Sequence, residues 1–217
     1  MDPAATSVKP RRRYDSSGRQ DGARRARAHI LAVAEELFLR NGYAATTVAS
    51  VATSAGVSAE TIYKSFGGKP GMIRAIQQSG LEGTGSVPAP ERSDELSAGA
   101  TDPRAIIRHW ATLTTEVAPR AAPIALLVRS AAATDPEMAG LLDEITIERL
   151  HRMRHNASRL ADRSWLRPGL TVERAGDILF AYTLPELYES LVVGRRWAIN
   201  DFADFIYRAL VAELLGD

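Results

Sequence analysis

The run TTVASVATSAGVSAETIYKSF, read from Thr46, constrains the fold more than any other stretch of the chain. Val48, Val51 and Ala52 give one short apolar face, and Ile62 and Phe66 give a second. Ala55-Gly56-Val57 stands between them, with a glycine where a tight turn needs a positive φ. Thr46 or Thr47 can cap the first helix and Ser58 the second. The spacing predicts a helix-turn-helix, packed through Ala52, Val57 and Ile62. Ser58, Ala59, Glu60, Thr61, Tyr63, Lys64 and Ser65 then share the N-terminus and outward face of the second helix, the part such a motif presents to base edges in a major groove. Helix pairs with a glycine turn are also common as plain structure, so the motif alone leaves DNA binding open.

The flanking sequence is helical too. From Ala23, the residues Ile30, Val33, Ala34, Leu37 and Phe38 follow the i, i+3, i+4, i+7, i+8 stripe of an amphipathic helix that stops at Asn41-Gly42. Gly67-Gly68 ends the motif, and a fourth helix is predicted from about Pro70 to about Ser79. Residues 80–101 are rich in Gly, Ser, Pro and Ala, which predicts a long connection holding at most one short helical turn around Ser93 to Ser97. Asp102-Pro103 and Asp135-Pro136 each place a capping side chain before a proline, so each should open a helix. The first runs to about Val117, a separate middle helix holds Ile124, Leu127 and Val128, and the second Asp-Pro helix runs to about Leu160. Thr171 caps a helix that Pro185 kinks or restarts, and Asp201 caps the last. No strand pattern or repeat appears, so the expected fold class is all-α. The expected organisation is a disordered basic arm at 1–22, a helix-turn-helix DNA-binding head at 23–80, a linker at 81–101 and a helical ligand-binding and dimerisation body at 102–217.

Composition narrows the setting. Hydrophobic residues make up 45% of the 217, which is enough for a buried core. No apolar run approaches the roughly 18 residues of a membrane span, the start lacks a signal-peptide stretch and cysteine is absent, so a soluble cytoplasmic protein is expected. The net charge of +1 hides an asymmetry: residues 1–81 carry twelve basic and six acidic groups, and the remainder fifteen and twenty. A basic head on an acidic body suits a polyanionic partner or is an uneven solvated surface.

The longer run TTVASVATSAGVSAETIYKSFGGKPGMIRAI resembles the DNA-binding region of TetR-family transcriptional repressors, in its Thr-Thr start, its Ala-Gly-Val-Ser turn and its Tyr, Phe and Lys spacing. The resemblance covers about residues 24–78, and LRPGLTVERAGDILFAYTLPELYESLV followed by Trp197 is similar to the tail of many such regulators. By position it implies that Thr47, Tyr63 and Lys69 hold phosphates, while Val48, Ala59, Glu60, Thr61 and Lys64 fall where the family reads bases. Ser58 adds a helix N-terminus suited to a phosphate. Here Val48 and Ala59 can touch only thymine methyls, Glu60 can accept from cytosine N4 but repels phosphate, and Ser65 replaces a frequent histidine. Arg24, Arg25 and Arg27 oppose the dipole of the first helix unless an anion is near, which favours backbone contact. The cluster Lys9 to Arg13 is either a DNA-tracking arm or a solubilising tail.

Elsewhere, His151 and His155 are spaced to share a metal, but no third ligand is evident and Arg152 and Arg154 crowd the pair, so a solvated face and no metal are expected. No nucleophile elbow, phosphate loop or zinc-protease motif occurs; neither an enzyme nor a bound cofactor is expected. The resemblance implies an inducer pocket in the body. Trp110, Leu113, Thr114, Met138, Leu142, Ile145, Phe180 and Tyr182, with Met153 beside them, are candidates for its lining or for plain core. The expected protein is a repressor released by a largely apolar small-molecule inducer. It is expected to be a homodimer through residues 171–183 and 201–215, because the stripe Phe202, Phe205, Ile206, Leu210 and Leu214 is wider than a helix packed on one side should need, and to sit on a palindromic double-stranded operator. The alternatives are a helical ligand-binding or catalytic protein that does not bind DNA, and a protein-interacting adaptor.

Overall fold

The computed structural model describes residues 17–85 and 87–215, and the basic cluster Lys9 to Arg13 lies outside them. The described residues form α1 (Ser17–Ala45), α2 (Val48–Ala55), α3 (Ala59–Phe66), α4 (Lys69–Glu82), α5 (Ala89–Gly99), α6 (Pro103–Ala132), α7 (Pro136–Ala161), α8 (Val172–Tyr182), α9 (Pro185–Tyr188), a π-helical turn (Glu189–Gly194) and α10 (Ile199–Leu214). All regular structure among them is helical, as the sequence predicts.

The head is fixed by its helix ends. Gly42, with φ 81° and ψ 167°, breaks α1 near its close. Fully buried Thr46 shares its hydroxyl proton between the carbonyls of Leu37 (3.1 Å) and Gly42 (2.9 Å), which ties the chain after the break back to α1. Thr47 is therefore the cap of α2, in a reciprocal box with Ser50, and Gly56 at φ 66° closes that helix. Ser58 caps α3 by accepting from the Thr61 N–H. Between α3 and α4 the backbones approach so closely that a Cβ on Gly71 would run into the Phe66 carbonyl.

Two apolar cores hold the molecule together. One joins Ile30, Phe38, Ile62 and Ile73 of the head to Ile124, Val128 and Met138 of α6 and α7, so the head rests on the body through continuous packing. The other gathers Ile107, Leu160, Leu179, Phe202, Ile206 and Leu210 from α6, α7, α8 and α10.

Four expectations change. The first helix begins at Ser17, so residues 17–22 are helical and do not belong to an irregular arm. The 80–101 connection contains the 11-residue helix α5, which buries only small side chains (Ala89, Ser93, Ser97) and was for that reason invisible as an apolar stripe. The first Asp-Pro helix and the middle helix are one 30-residue helix, α6, with Pro119 and Pro123 inside it. Those prolines stand i, i+4, so the two missing amide bonds fall on one side and free the carbonyls of Thr115 and Pro119 toward the exposed Pro119 face. Finally, α10 starts at Ile199 with Ala198 as its cap residue, and Asp201 lies in its first turn, where its charge suits the dipole.

Candidate nucleic-acid interface and effector cavity

The head presents α3 to solvent. Ser58, Ala59, Glu60, Thr61, Tyr63, Lys64 and Ser65 are all exposed, with Tyr63 at 57%, while Ile62 and Phe66 point inward. Thr47 is exposed at the start of α2 and Val48 is half-buried beside it. Glu60 and Lys64 pair with each other at 3.3 Å, so the acid on this face is offset by its own neighbour. The N-termini of α2 and α3 leave N–H groups beyond those that Thr47 and Ser58 satisfy.

The cations behind this face are less free than the sequence suggests. Arg27 donates to the Ser65 carbonyl at 2.7 Å and stacks over the Phe66 ring, so it clamps the C-terminus of α3 to α1. Lys69 donates to the Tyr43 carbonyl at 2.7 Å, with its ammonium 4.0 Å from the Tyr43 ring centre. Arg24 pairs with Asp21 at 2.5 Å, and Arg25 is exposed. Tyr43 carries the contact on to the body: burial, and then the negative charge of Asp135 at the cap of α7, push its phenol up to about 12.

The body holds a cavity of about 370 Å³, with a mainly apolar wall built from α4 to α10. Trp110, Leu113, Thr114, Ile145 and Tyr182 line it, as does Met153. Three other candidates stand elsewhere. Met138 is fully buried in the core under the head, Leu142 borders a separate small cleft, and Phe180 is not part of the wall but has the Arg149 guanidinium 4.2 Å from its ring centre. Sequence reasoning missed Gln77 and Asn156, each 6% exposed, and Arg149, all of which line the cavity. It also missed the small residues Ala118, Ala121 and Ala125 of α6, whose lack of bulk leaves the space; the run APRAAPIA carried that signal.

Helix α5 closes one side through polar links. Trp110 donates its indole N–H to Ser93 at 3.1 Å. Asp94 takes Arg152 (2.9 Å) and His155 (3.1 Å); burial alone would raise its carboxyl, but the Arg152 guanidinium and the hydrogen bond with His155 hold it below the usual carboxylate range. Arg92 forms two bonds with Glu116, which also accepts from the Thr84 amide and hydroxyl, and together these hold the Glu116 carboxyl down at about 2. His155 is thus part of a latch to α5, and His151 is exposed.

The geometry is thus a capped helix pair with an exposed second helix, seated on a helical body that holds a cavity. Residues 30–76 match the family model described as bacterial regulatory proteins, tetR family. No curated protein matches the chain. Among solved structures, a TetR-family regulator from Syntrophomonas wolfei superposes with a TM-score of 0.71 at 16% identity, over 88% of this chain and 95% of that one. The fatty acid degradation regulator FadR from Bacillus halodurans gives 0.69 at 17%, over 86% and 94%. SmeT in its complex with triclosan gives 0.68 at 22%, over 88% and 92%. At these identities the likeness is one of fold; the family match lies in the head. The chain is thus similar in its head, over residues 30–76, to the tetR-family model, and it shares its overall fold with TetR-family regulators. No helix among the described residues is long and apolar enough to cross a membrane.

Proposed function

We propose that the chain acts as a homodimeric repressor, which leaves its operator when a small, largely apolar inducer fills the body cavity. The observation that carries this reading is the double duty of α4. Its first turn abuts α3 at Gly71, and its later residue Gln77 forms part of the cavity wall. A ligand that displaces Gln77 therefore acts on the helix against which the reading helix is packed. Thr47, Ser58, Tyr63 and Lys69 position the backbone in this reading, and Val48, Ala59, Glu60, Thr61 and Lys64 face base edges. Arg25 and Arg24 extend the backbone contact along α1, whereas Arg27 supports α3 from behind.

The apolar stripe of α10 does not argue for the dimer, because Phe202, Ile206, Leu210 and Leu214 are each covered by the chain's own core. Support comes instead from the apolar groups left outside it: Val193 is 61% exposed, and Trp197 and Ile199 are each 38% exposed beside α10. A two-fold pairing there, continued along the outer edges of α8 and α10, would serve inverted half-sites, which call for two reading helices about 34–36 Å apart.

The test is a cavity plug. Ala118→Trp puts an indole into the space, and the expected variant binds operator DNA like the wild type but no longer releases it when an apolar effector is added. A plugged protein that still releases DNA would contradict the reading.

A further inference from the structure

Resting on that reading of the cavity, we infer that its ligand is an amphipathic organic anion: an apolar body with one acidic group, held by Arg149. Charge on the lining is otherwise accounted for. Arg152 is paired with Asp94, and Glu148 lies 3.6 Å from Arg74. The negative charge that acts on Arg149 is the Glu186 carboxylate, and it lies outside ion-pair distance of Arg149 and is paired with Arg129 at 2.5 Å. Arg149 has no carboxylate within ion-pair distance among the described residues, and its Nε–H is occluded without an acceptor.

The setting suits an incoming acid. The Arg149 guanidinium carbon lies 4.2 Å from the centre of the Phe180 ring, a contact that restrains the side chain and leaves its N–H groups for hydrogen bonding. A carboxylate meets such a fork with two parallel bonds. Burial already disfavours the charged form of Arg149, so the fold has borne that desolvation before the ligand arrives. A neutral chain of the same length would fill the same wall and leave the cation unmatched. A cationic chain would bring a second positive charge to it.

The experiment is calorimetric titration of the full chain with dodecanoate, 1-dodecanol and dodecyltrimethylammonium, each below the concentration at which it aggregates. The expected order has dodecanoate at least about tenfold tighter than dodecanol, and the ammonium weakest. In Arg149→Met the acid-to-alcohol ratio falls to about one while dodecanol affinity is kept, and in Arg149→Lys an intermediate ratio remains. Dodecanol binding as tightly as dodecanoate to the wild type overturns the inference and leaves the apolar-inducer reading standing. An undiminished ratio in Arg149→Met also overturns it and moves the anion site to another cation. Should Arg149→Met not fold, the wild-type order and Arg149→Lys decide. Binding of none of the three overturns the inference and the effector cavity together.

Discussion

Glu60 and Lys64 stand one turn apart on the exposed face of α3 and form an ion pair at 3.3 Å, with more than three quarters of each side chain in solvent. An acid on a surface that meets phosphates is costly by itself; here it also spends the charge of the one lysine on that face. Removing it should therefore free Lys64. Glu60→Ala is expected to tighten binding to all duplexes and to steepen the salt dependence by about one unit of slope, with a stability change under about 0.5 kcal/mol. Titrations at several salt concentrations check this. Relaxed preference at a single base pair, without general tightening, would mean instead that Glu60 reads cytosine.

Lys69 serves the fold beside its proposed contact with DNA. Losing its bond to the Tyr43 carbonyl and its seat on the Tyr43 ring should cost Lys69→Ala about 1–2 kcal/mol in denaturant unfolding. It should also lower the salt slope of DNA binding by about one unit. A destabilised variant with wild-type affinity and slope would make Lys69 purely structural.

The α3–α4 junction admits no side chain at position 71. Gly71→Ala must push the Phe66 carbonyl aside, at an expected cost of about 1–3 kcal/mol, and operator affinity should fall further than stability because α3 itself is displaced. Chemical denaturation beside a binding titration separates the two effects.

Acid should loosen the cavity wall. The Glu116 carboxyl is held at about 2 in the folded chain against an ordinary value near 4.5. Its stabilising contribution is thus complete above about pH 4.5 and is lost as pH falls from there toward 2. Allowing for solvent around the pair, Glu116→Gln is expected to cost about 1–2 kcal/mol at pH 7, and the gap from wild type should close through that acid window. Thermal melts across the pH range measure it.

Position 206 distinguishes core from interface. Ile206→Glu buries a charge at a fully enclosed site and should unfold the chain, whereas Ile199→Glu, at a site 38% exposed, should keep the helical spectrum and dissociate the dimer. Sedimentation and circular dichroism together decide. A folded, dimeric Ile199→Glu would place the interface elsewhere.

What could be read in advance was whatever depends on local periodicity and caps. The stripe from Ile30 to Phe38, the caps at Thr47, Ser58, Asp102, Asp135 and Thr171, and the turn at Gly56 all follow from neighbours in sequence. What escaped depends on distant partners. Helix α5 is held by Arg92–Glu116 and Asp94–Arg152, contacts no stripe announces. The structural bonds of Arg27 and Lys69 escaped because the carbonyls that engage them lie 38 and 26 residues away. The α10 stripe looked too wide for one chain because α6 and α8, which cover it, come from distant segments. Arg149 sat unnoticed in a polar-looking helix, since only the fold turns it toward a cavity.

The central claim, that this chain reads DNA as a two-fold regulator, is tested most directly by selecting bound duplexes from a random pool with the full chain. The account predicts enrichment of inverted half-sites whose centres lie about 10–10.5 base pairs apart or slightly more, with Thr61→Ala shifting preference at one position in each half. Recovery of no common sequence, or of a single unrepeated site bound by a monomer, would contradict it.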